Sequence, residues 1–242
     1  MWRSVIRAIE AAIPEYDLVN EKVSLGLAQK ARDHAVHELE LKEEMRILDA
    51  GIGPGTMSQT ILRENSGLTI VGLDASIDLL HAAWERLGST YGDNLHLVQG
   101  VFESLPFAEK SFSRIISAFA FRDARNRTVA IDEFHRVSTE DGVFAVVDLG
   151  KPVNLFKRVL VSIWVHYVTP IIARASMQGT IQGNPWRLIF STYQALGSNR
   201  EVVSSLGKRF SRVRITEFAL GGMIVILAFK EIAKSIQAIV SQ

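Results

Sequence analysis

Residues 47–56, "ILDAGIGPGT", decide the fold of this chain. An apolar run leads into an acid, Asp49, and then into glycines at alternate positions, Gly51, Gly53 and Gly55. Because glycine has no Cβ, the chain can turn sharply after a buried strand, and its backbone can come close to a bound molecule. The stretch therefore predicts a strand that ends in a ligand-binding loop.

Around this stretch, short β-rich runs alternate with helical patterns from about residue 45 onward. Such alternation is typical of βαβ units, which form a parallel sheet with helices on both faces. The predicted strands are residues 45–50, 68–74, 94–100, 114–120 and 142–150, and the predicted helices begin at Met57 and Ile77 and lie near residues 128–137.

The C-terminal part breaks this rhythm. Residues 210–218 and 223–230 are two strand-like runs joined by "ALGG", which predicts an antiparallel hairpin. A reversed last strand argues against a standard dinucleotide fold, in which every strand is parallel. We predict a single domain over residues 1–242, made of an N-terminal helical segment (1–44), a binding core (45–150), a mostly helical insertion at the ligand edge (151–199) and a C-terminal hairpin and helix (200–242).

Composition limits the choice of partners and compartment. With 242 residues, 48% of them hydrophobic, the chain can bury a large core. Its 27 Lys and Arg against 26 Asp and Glu give no general attraction for nucleic acid, so we expect no nucleic-acid partner. The sequence has no cysteine, which excludes disulfides and thiolate metal sites and favours a reducing, cytoplasmic compartment.

Two apolar segments raise the question of a membrane. Residues 1–17 have apolar side chains at helical spacing interrupted by charges, which predicts an amphipathic helix rather than an export signal. Residues 159–173 are the most apolar run, but about fifteen residues are fewer than the roughly 20 needed to span a bilayer. The sequence therefore predicts that this run is not a transmembrane helix.

Two acids bracket the glycine loop and indicate its ligand. Asp74 ends the next predicted strand, where a carboxylate can accept both hydroxyls of a ribose. Asp49 favours a ligand with positive charge, such as S-adenosylmethionine, over a pyrophosphate, which it would repel. The loop alone leaves a dinucleotide or a simple tight turn open, whereas Asp74 and the reversed hairpin favour S-adenosylmethionine.

At this point the chain resembles class I S-adenosylmethionine-dependent methyltransferases, and more narrowly the ubiquinone/menaquinone biosynthesis C-methyltransferase family. The resemblance runs from about Tyr16 to Lys230 and rests on "YDLVNEKVSLG", "ILDAGIGPG", "VGLDAS", "ESLPFAEKSFSRIISAFAFRDA", "HRVSTEDGVFAVVDLGKP" and "MIVILAFK". It implies a Rossmann-like α/β fold with a mostly parallel seven-stranded sheet, an antiparallel C-terminal hairpin and helices on both faces.

The resemblance also assigns cofactor contacts by position. It implies that the glycine loop with Asp49 wraps the methionine part of S-adenosylmethionine and that Asp74 holds the ribose. The remaining contacts that it implies are Ala75, Val101, Phe102 and Ala118. The chain departs from the family pattern at four positions, with Pro54 in place of threonine, Val101 in place of a polar residue, Ala118 in place of serine and Asp123 in place of asparagine.

The chemistry of carbon methylation suggests catalytic residues. A phenolic ring carbon attacks the methyl group when its hydroxyl is deprotonated, and a nearby cation stabilises the oxyanion; the transfer requires no metal. Arg122, which matches the arginine of the family, is our candidate for the cation, and Asp123 is a candidate to orient it or to take the proton. The alternative is a surface ion pair that caps the helix near Thr128. His166 is a third candidate, as a base, although a core histidine is the more common situation.

The insertion suggests a lipophilic substrate. Its aromatic and aliphatic side chains could form an apolar lid over a prenylated quinone precursor, complete the core, or form a homodimer face. Lys157, Arg158 and Arg174 make a peripheral membrane contact a further hypothesis. His34 and His37 share a helix face but lack a third ligand, so we expect no metal site.

Three functions follow from these observations. The first is a C-methyltransferase acting on a prenylated quinone precursor. The second is a methyltransferase of another lipid or small molecule, and the third is a non-catalytic module that keeps the fold and binds a partner.

Overall fold

Seven strands form one sheet in the computed structural model, which describes residues 2–178 and 184–230. The strands are β1 (Arg46–Ala50), β2 (Thr69–Asp74), β3 (Leu95–Gln99), β4 (Phe112–Ala118), β5 (Ser138–Leu149), β6 (Arg212–Phe218) and β7 (Met223–Phe229). Their order across the sheet is β3-β2-β1-β4-β5-β7-β6. Strands β1 to β5 pair in parallel, and β7 lies antiparallel between β5 and β6. The predicted fold class and the reversed hairpin are confirmed.

Helices cover both faces of this sheet, as the alternating pattern predicts. The longer helices of the described residues are α1 (Trp2–Ala12), α2 (Tyr16–Val23), α3 (Leu27–Glu38), α4 (Thr56–Glu64), α5 (Ile77–Tyr91), α6 (Arg127–Val137), α7 (Leu155–Ile163), α8 (Thr169–Ser176), α9 (Ile189–Ala195) and α10 (Asn199–Leu206). Helices α3, α4 and α5 pack on one face in a single buried cluster with the sheet. Helices α6 and α10 pack on the other face.

The insertion is helical where it is described. Helices α7 and α8 are joined through a wide π-helical turn, Trp164–Val168, in which the Thr169 N–H donates to the Trp164 carbonyl, five residues back. The turn precedes Pro170, which has no N–H to donate, and the chain continues instead of breaking there. The result is one helix, Leu155–Ser176, of 22 residues.

The apolar run of residues 159–173 lies inside this longer helix, which begins at Leu155 and passes through Pro170. By length and composition, the described chain therefore contains one helix that could cross a membrane, and 22% of its most apolar window is buried against the protein.

Two parts of the domain division lie partly outside the described residues. Helix α10 precedes the C-terminal hairpin, and residues 231–242 are outside the described residues, as are residues 179–183 of the insertion. The division into four segments stays a prediction.

Candidate functional site

The carboxyl ends of β1 to β4 meet at one edge of the sheet, where the loops that follow them enclose a cavity, called here the cofactor cavity. Most of the predicted cofactor residues border it, together with Asp123: Gly51, Gly53, Asp74, Ala75, Val101, Phe102 and Ala118. Because these residues come from four separate loops, the sheet topology is what brings them together.

Asp74 is held rigidly at the end of β2. One carboxylate oxygen, Oδ2, accepts from the Gly53 N–H at 2.9 Å, and the other, Oδ1, accepts from the Ser76 N–H at 3.0 Å. Burial raises the pKa of Asp74, and the backbone donors oppose this rise. The oriented carboxylate borders the cofactor cavity, where it can accept hydrogen bonds from hydroxyl groups of a ligand.

The three glycines of the loop have different roles, although all have positive φ angles. A Cβ on Gly51 would lie 2.4 Å from the Cβ of Ala120, and one on Gly55 would lie 3.0 Å from Leu87 of α5, so these two permit packing within the protein. A Cβ on Gly53 would meet no atom within 4 Å, and Gly53 borders the cofactor cavity. Gly53 is therefore the glycine whose missing side chain leaves room for a ligand.

Asp49 lies beneath the loop instead of on the cavity wall. It is fully buried, and its Oδ2 accepts from Ser58 Oγ at 2.6 Å, while Oδ1 has no hydrogen-bond partner among the described residues. Burial raises the pKa of Asp49 to about 7, an increase that the bond from Ser58 opposes. Among the described residues Asp49 forms no ion pair, although Arg32 lies near enough to lower its pKa slightly, and such a buried carboxyl suits a ligand that brings positive charge to the cavity above it.

The N-terminal segment closes over this cavity. Val5, Ile6 and Ile9 of α1 border it, and Glu10 accepts a hydrogen bond of 2.6 Å from Ser76 Oγ on the other side. Helix α2 is held down by Asp17, which pairs with Arg86 of α5 at 2.6 Å and accepts from Thr56 Oγ1 at 2.7 Å. These contacts join residues that are distant in the chain, so no local sequence pattern marks them.

A second, larger cavity of about 390 Å³, called here the acceptor cavity, adjoins the first. Its walls come from α1, α2, α3, the insertion and the turn between β6 and β7, and most of its lining side chains are apolar. The two cavities share five wall residues: Val5, Ile9, Tyr16, Arg32 and Phe119. A molecule in one cavity therefore lies directly beside a molecule in the other.

Arg122 is buried at the floor of the acceptor cavity. Its Nη1 donates to Asp148 Oδ1 at 2.6 Å and to the Phe119 carbonyl at 2.8 Å, and Asp123 lies 3.6 Å from Nη2. Burial lowers the pKa of Arg122, but the two carboxylates outweigh burial and raise it, so the guanidinium stays charged.

The alternative of a surface pair that caps a helix is wrong. Only 10% of the Arg122 side chain and 13% of the Asp123 side chain are exposed, and Asn126 caps α6 by accepting from the N–H groups of Thr128 and Val129. Burial raises the pKa of Asp123, and Arg122 opposes the rise. The carboxyl that replaces the expected asparagine thus borders the cofactor cavity beside Arg122.

Two residues at the junction of the cavities were not assigned a charge role from sequence. Tyr16 is a partly buried phenol, and desolvation raises its pKa against the influence of Arg32 and Arg122. Arg32 is only 6% exposed, its Cζ lies 5.0 Å from the centre of the Phe119 ring, and its Nε has no hydrogen-bond partner among the described residues. Burial lowers the pKa of Arg32, and Tyr16 and nearby carboxylates oppose this lowering only in part. In the sequence, "KARDH" reads as an ordinary charged helix surface, so nothing marks Arg32 as buried.

His166 does not join this group. It is exposed on the π-helical turn, where its ring contacts Tyr167 and Phe190, and it borders neither cavity. The interpretation as a core histidine is wrong as well, because the side chain is at the surface. A role as base therefore has no support from its position.

Comparison with known proteins gives a family and related folds. The model of the "ubiE/COQ5 methyltransferase family" matches residues 3–179, so the match begins before Tyr16 and ends before the C-terminal hairpin. The ubiquinone/menaquinone biosynthesis C-methyltransferase UbiE of Syntrophotalea carbinolica is 35% identical over 159 residues, which are 66% of this chain and 67% of that protein. UbiE of Geotalea uraniireducens is 30% identical over 60% of this chain and 63% of its own length. The matched part thus spans about two thirds of the length of these relatives.

Solved structures share the fold at low sequence identity. A putative S-adenosyl-L-methionine-dependent methyltransferase from Methanococcus maripaludis has a TM-score of 0.63 at 16% identity, and the match covers 92% of this chain and 94% of that one. The arrangement of strands and helices is therefore that of class I methyltransferases.

Proposed function

Because the chain belongs to the ubiE/COQ5 methyltransferase family, and is an S-adenosylmethionine-dependent methyltransferase, we propose that it methylates a ring carbon of a prenylated quinone precursor. The observation that carries this proposal is the shared wall of the two cavities, one suited to a nucleoside and the other large and apolar. Transfer of a methyl group requires such direct contact between donor and acceptor.

The cofactor cavity fits S-adenosylmethionine. Asp74 would hold the ribose, Gly53 leaves the space for the methionine part, and Val101 and Phe102 supply apolar contact for the adenine. Asp49 lies below, and its buried Oδ1 has no hydrogen-bond partner within residues 2–178 and 184–230, which favours a positively charged ligand. When bound, S-adenosylmethionine supplies an electrophilic methyl group on its sulfonium.

The acceptor cavity fits a lipophilic molecule with a polar head. Its volume is within the usual range of about 300 to 1,000 Å³ for small-molecule sites. Its wall is apolar over the insertion, with Leu160, Trp164 and Val165, while the polar groups Tyr16, Arg32 and Arg122 gather at the end near the cofactor cavity. We infer that the ring of the acceptor lies at this polar end and that the prenyl tail extends along the insertion.

The polar end can activate the ring. Deprotonation of the ring hydroxyl raises the electron density at the attacking carbon, and a cation lowers the free energy of the resulting oxyanion. Arg122 is already paired with Asp148 and Asp123, whereas Arg32 has an Nε without a partner among the described residues. We therefore propose that Arg32 contacts the oxyanion and that Arg122 positions Asp123. Asp123, with its raised pKa, would receive the hydroxyl proton, directly or through water.

The cellular context is part of the same proposal. We infer that the protein works in the cytoplasm, because the sequence has no cysteine. We also infer that it contacts a membrane peripherally, because a lipophilic acceptor is supplied from a membrane. A homodimer through the insertion remains the competing use of the apolar outer surface of that segment.

Labelled methyl transfer tests the proposed function. The protein is incubated with S-adenosylmethionine carrying a labelled methyl group and with a panel that contains a demethylmenaquinone, a ubiquinone precursor, lipid amines and small phenols. We expect label on a ring carbon of a quinone precursor. Label on another acceptor alone would contradict the substrate class, and a protein that binds no cofactor would support the non-catalytic alternative.

A further inference from the structure

The helix Leu155–Ser176 presents an apolar face that no part of the described protein covers. Its inner side is buried through Val161, Val165, Thr169 and Ala173. On its outer side, Leu155, Phe156, Tyr167 and Ile171 are each more than 60% exposed. Fourteen large hydrophobic side chains are exposed in the described residues, and seven of them lie on this helix, so the exposed apolar surface is concentrated on this element.

This outer face borders the mouth of the acceptor cavity. Leu25, Leu160 and Leu220 line the cavity and are also exposed, by 65%, 39% and 53%. They come from the loop before α3, from α7 and from the turn between β6 and β7. A molecule that leaves the cavity between them therefore emerges beside the exposed face of the helix.

The charge of the segment selects the partner. Residues 151–200 contain six basic residues and not one acid, although the whole chain is nearly neutral. Lys157 and Arg174 are exposed on the helix itself. A second copy packed on the same face would bring like charges together, whereas an anionic lipid surface complements them.

The orientation follows from the buried inner side. If the helix crossed a bilayer, it would have to leave its contacts with Tyr193, Trp186 and α2, which form two buried clusters with it. A helix with one side packed and one side apolar lies in the plane of the membrane interface.

From these observations, and resting on the proposed function, we propose that the outer face of Leu155–Ser176 docks onto an anionic lipid bilayer. The mouth of the acceptor cavity then opens against the lipid. The acceptor can enter and the methylated product can leave without crossing water.

Vesicle co-sedimentation of the full chain tests the docking face. Vesicles of phosphatidylcholine alone are compared with vesicles that also contain phosphatidylglycerol, at low and high salt. We expect binding to the anionic vesicles that weakens as salt is added, because screening shortens the range of the attraction. Lys157→Glu and Arg174→Glu should each weaken binding to the anionic vesicles by about fivefold or more. Phe156→Ser with Ile163→Ser should weaken it by about tenfold or more.

A matched control uses apolar residues with similar exposure elsewhere. Trp84 and Ile77 on α5 are about half exposed, as is Ile163, so Trp84→Ser with Ile77→Ser removes a comparable apolar surface. The control should bind vesicles as the wild type does. Equal binding by the control and the docking variants, or no binding of the wild type to anionic vesicles at low salt, would overturn the proposal. So would a dimer that the docking substitutions dissociate.

A separate assay keeps this inference apart from the proposed function. Docking variants should methylate a water-soluble acceptor with a short tail at the wild-type rate and should lose activity on the same ring with a long tail in vesicles. If the wild type methylates no quinone precursor in any form, the proposed function fails, while the sedimentation result still judges the docking face.

Discussion

Asp49→Asn tests the electrostatic logic of the site. Asp49 titrates near 3.8 when unfolded and near 7 in the folded protein, because burial outweighs the bond from Ser58. Between these pH values the folded chain binds more protons than the unfolded chain, so the free energy of unfolding falls as pH rises and is level above about 7. A difference of about 3 pH units corresponds to about 4 kcal/mol, which is an upper bound for this one group.

The variant should lose this dependence. Urea unfolding followed by circular dichroism, without ligand, should show that the difference between Asp49→Asn and wild type grows in favour of the variant from pH 5 to pH 8, by up to about 2.7 kcal/mol, because about 2 of the 3 pH units lie in this interval. Ser58→Ala is the control, since it removes a donor that lowers the pKa of Asp49 and should shift the wild-type loss to higher pH. Equal pH slopes for the wild type and Asp49→Asn would refute the reasoning.

The same group should link cofactor affinity to pH. S-adenosylmethionine brings positive charge, so calorimetry should show tighter binding by the wild type as pH rises through 7, and a weaker dependence in Asp49→Asn. Opposite behaviour would mean that Asp49 does not sense the charge of the ligand.

Three other substitutions separate cofactor, acceptor and structural roles. Gly53→Ala places a Cβ in the open space of the cofactor cavity and should weaken S-adenosylmethionine binding by tenfold or more. The control is Gly26→Ala, which has a similar positive φ and open surroundings; it should lower the free energy of unfolding by the same amount, roughly 1 kcal/mol, without changing the affinity. Equal losses of affinity in both variants would show that the effect is backbone strain. Arg32→Met should lower kcat with little change in cofactor Kd, because it removes the cation proposed to contact the oxyanion. Arg32→Lys should restore part of the rate. If kcat and its pH profile are unchanged in Arg32→Met, Arg32 has no role in catalysis. Arg122→Met leaves Asp148 buried without its partner and should lower the free energy of unfolding by about 3 to 5 kcal/mol in urea titration, and a loss below about 1 kcal/mol would contradict a buried pair.

Local patterns were sufficient to predict the fold. The parallel sheet was predictable from the alternation of strand and helix patterns and from the position of the glycine loop. The reversed hairpin was predictable from the two strand-like runs at residues 210–218 and 223–230. Each of these signals depends on residues that are close together in the chain. Asp74 was also predictable, since the end of a strand fixes where its side chain lies relative to the loop.

The inner details of the site depend on contacts between distant segments. Arg32 and Glu10 resemble surface charges in the sequence. Arg32 is buried because α3 packs over the sheet, and Glu10 meets Ser76 because α1 lies across the loop after β2. Asp148 lies near the carboxyl end of β5, as Asp74 lies at that of β2, so its approach to Arg122, in the turn that follows the neighbouring strand β4, could have been inferred from the strand order. His166 was misjudged because an apolar stretch suggests burial, while the helix turns its ring to the surface.

Helix α1 forms part of the wall of both cavities, and this constrains the order of events in each catalytic cycle. Since Val5 and Ile9 touch both spaces, a displacement of α1 large enough to free the spent cofactor also disturbs the acceptor compartment. The two ligands are then expected to exchange in a dependent sequence rather than at random. Removing the hydrogen bond that Ser76 donates to Glu10 should raise kcat if release of the demethylated cofactor is the rate-limiting step.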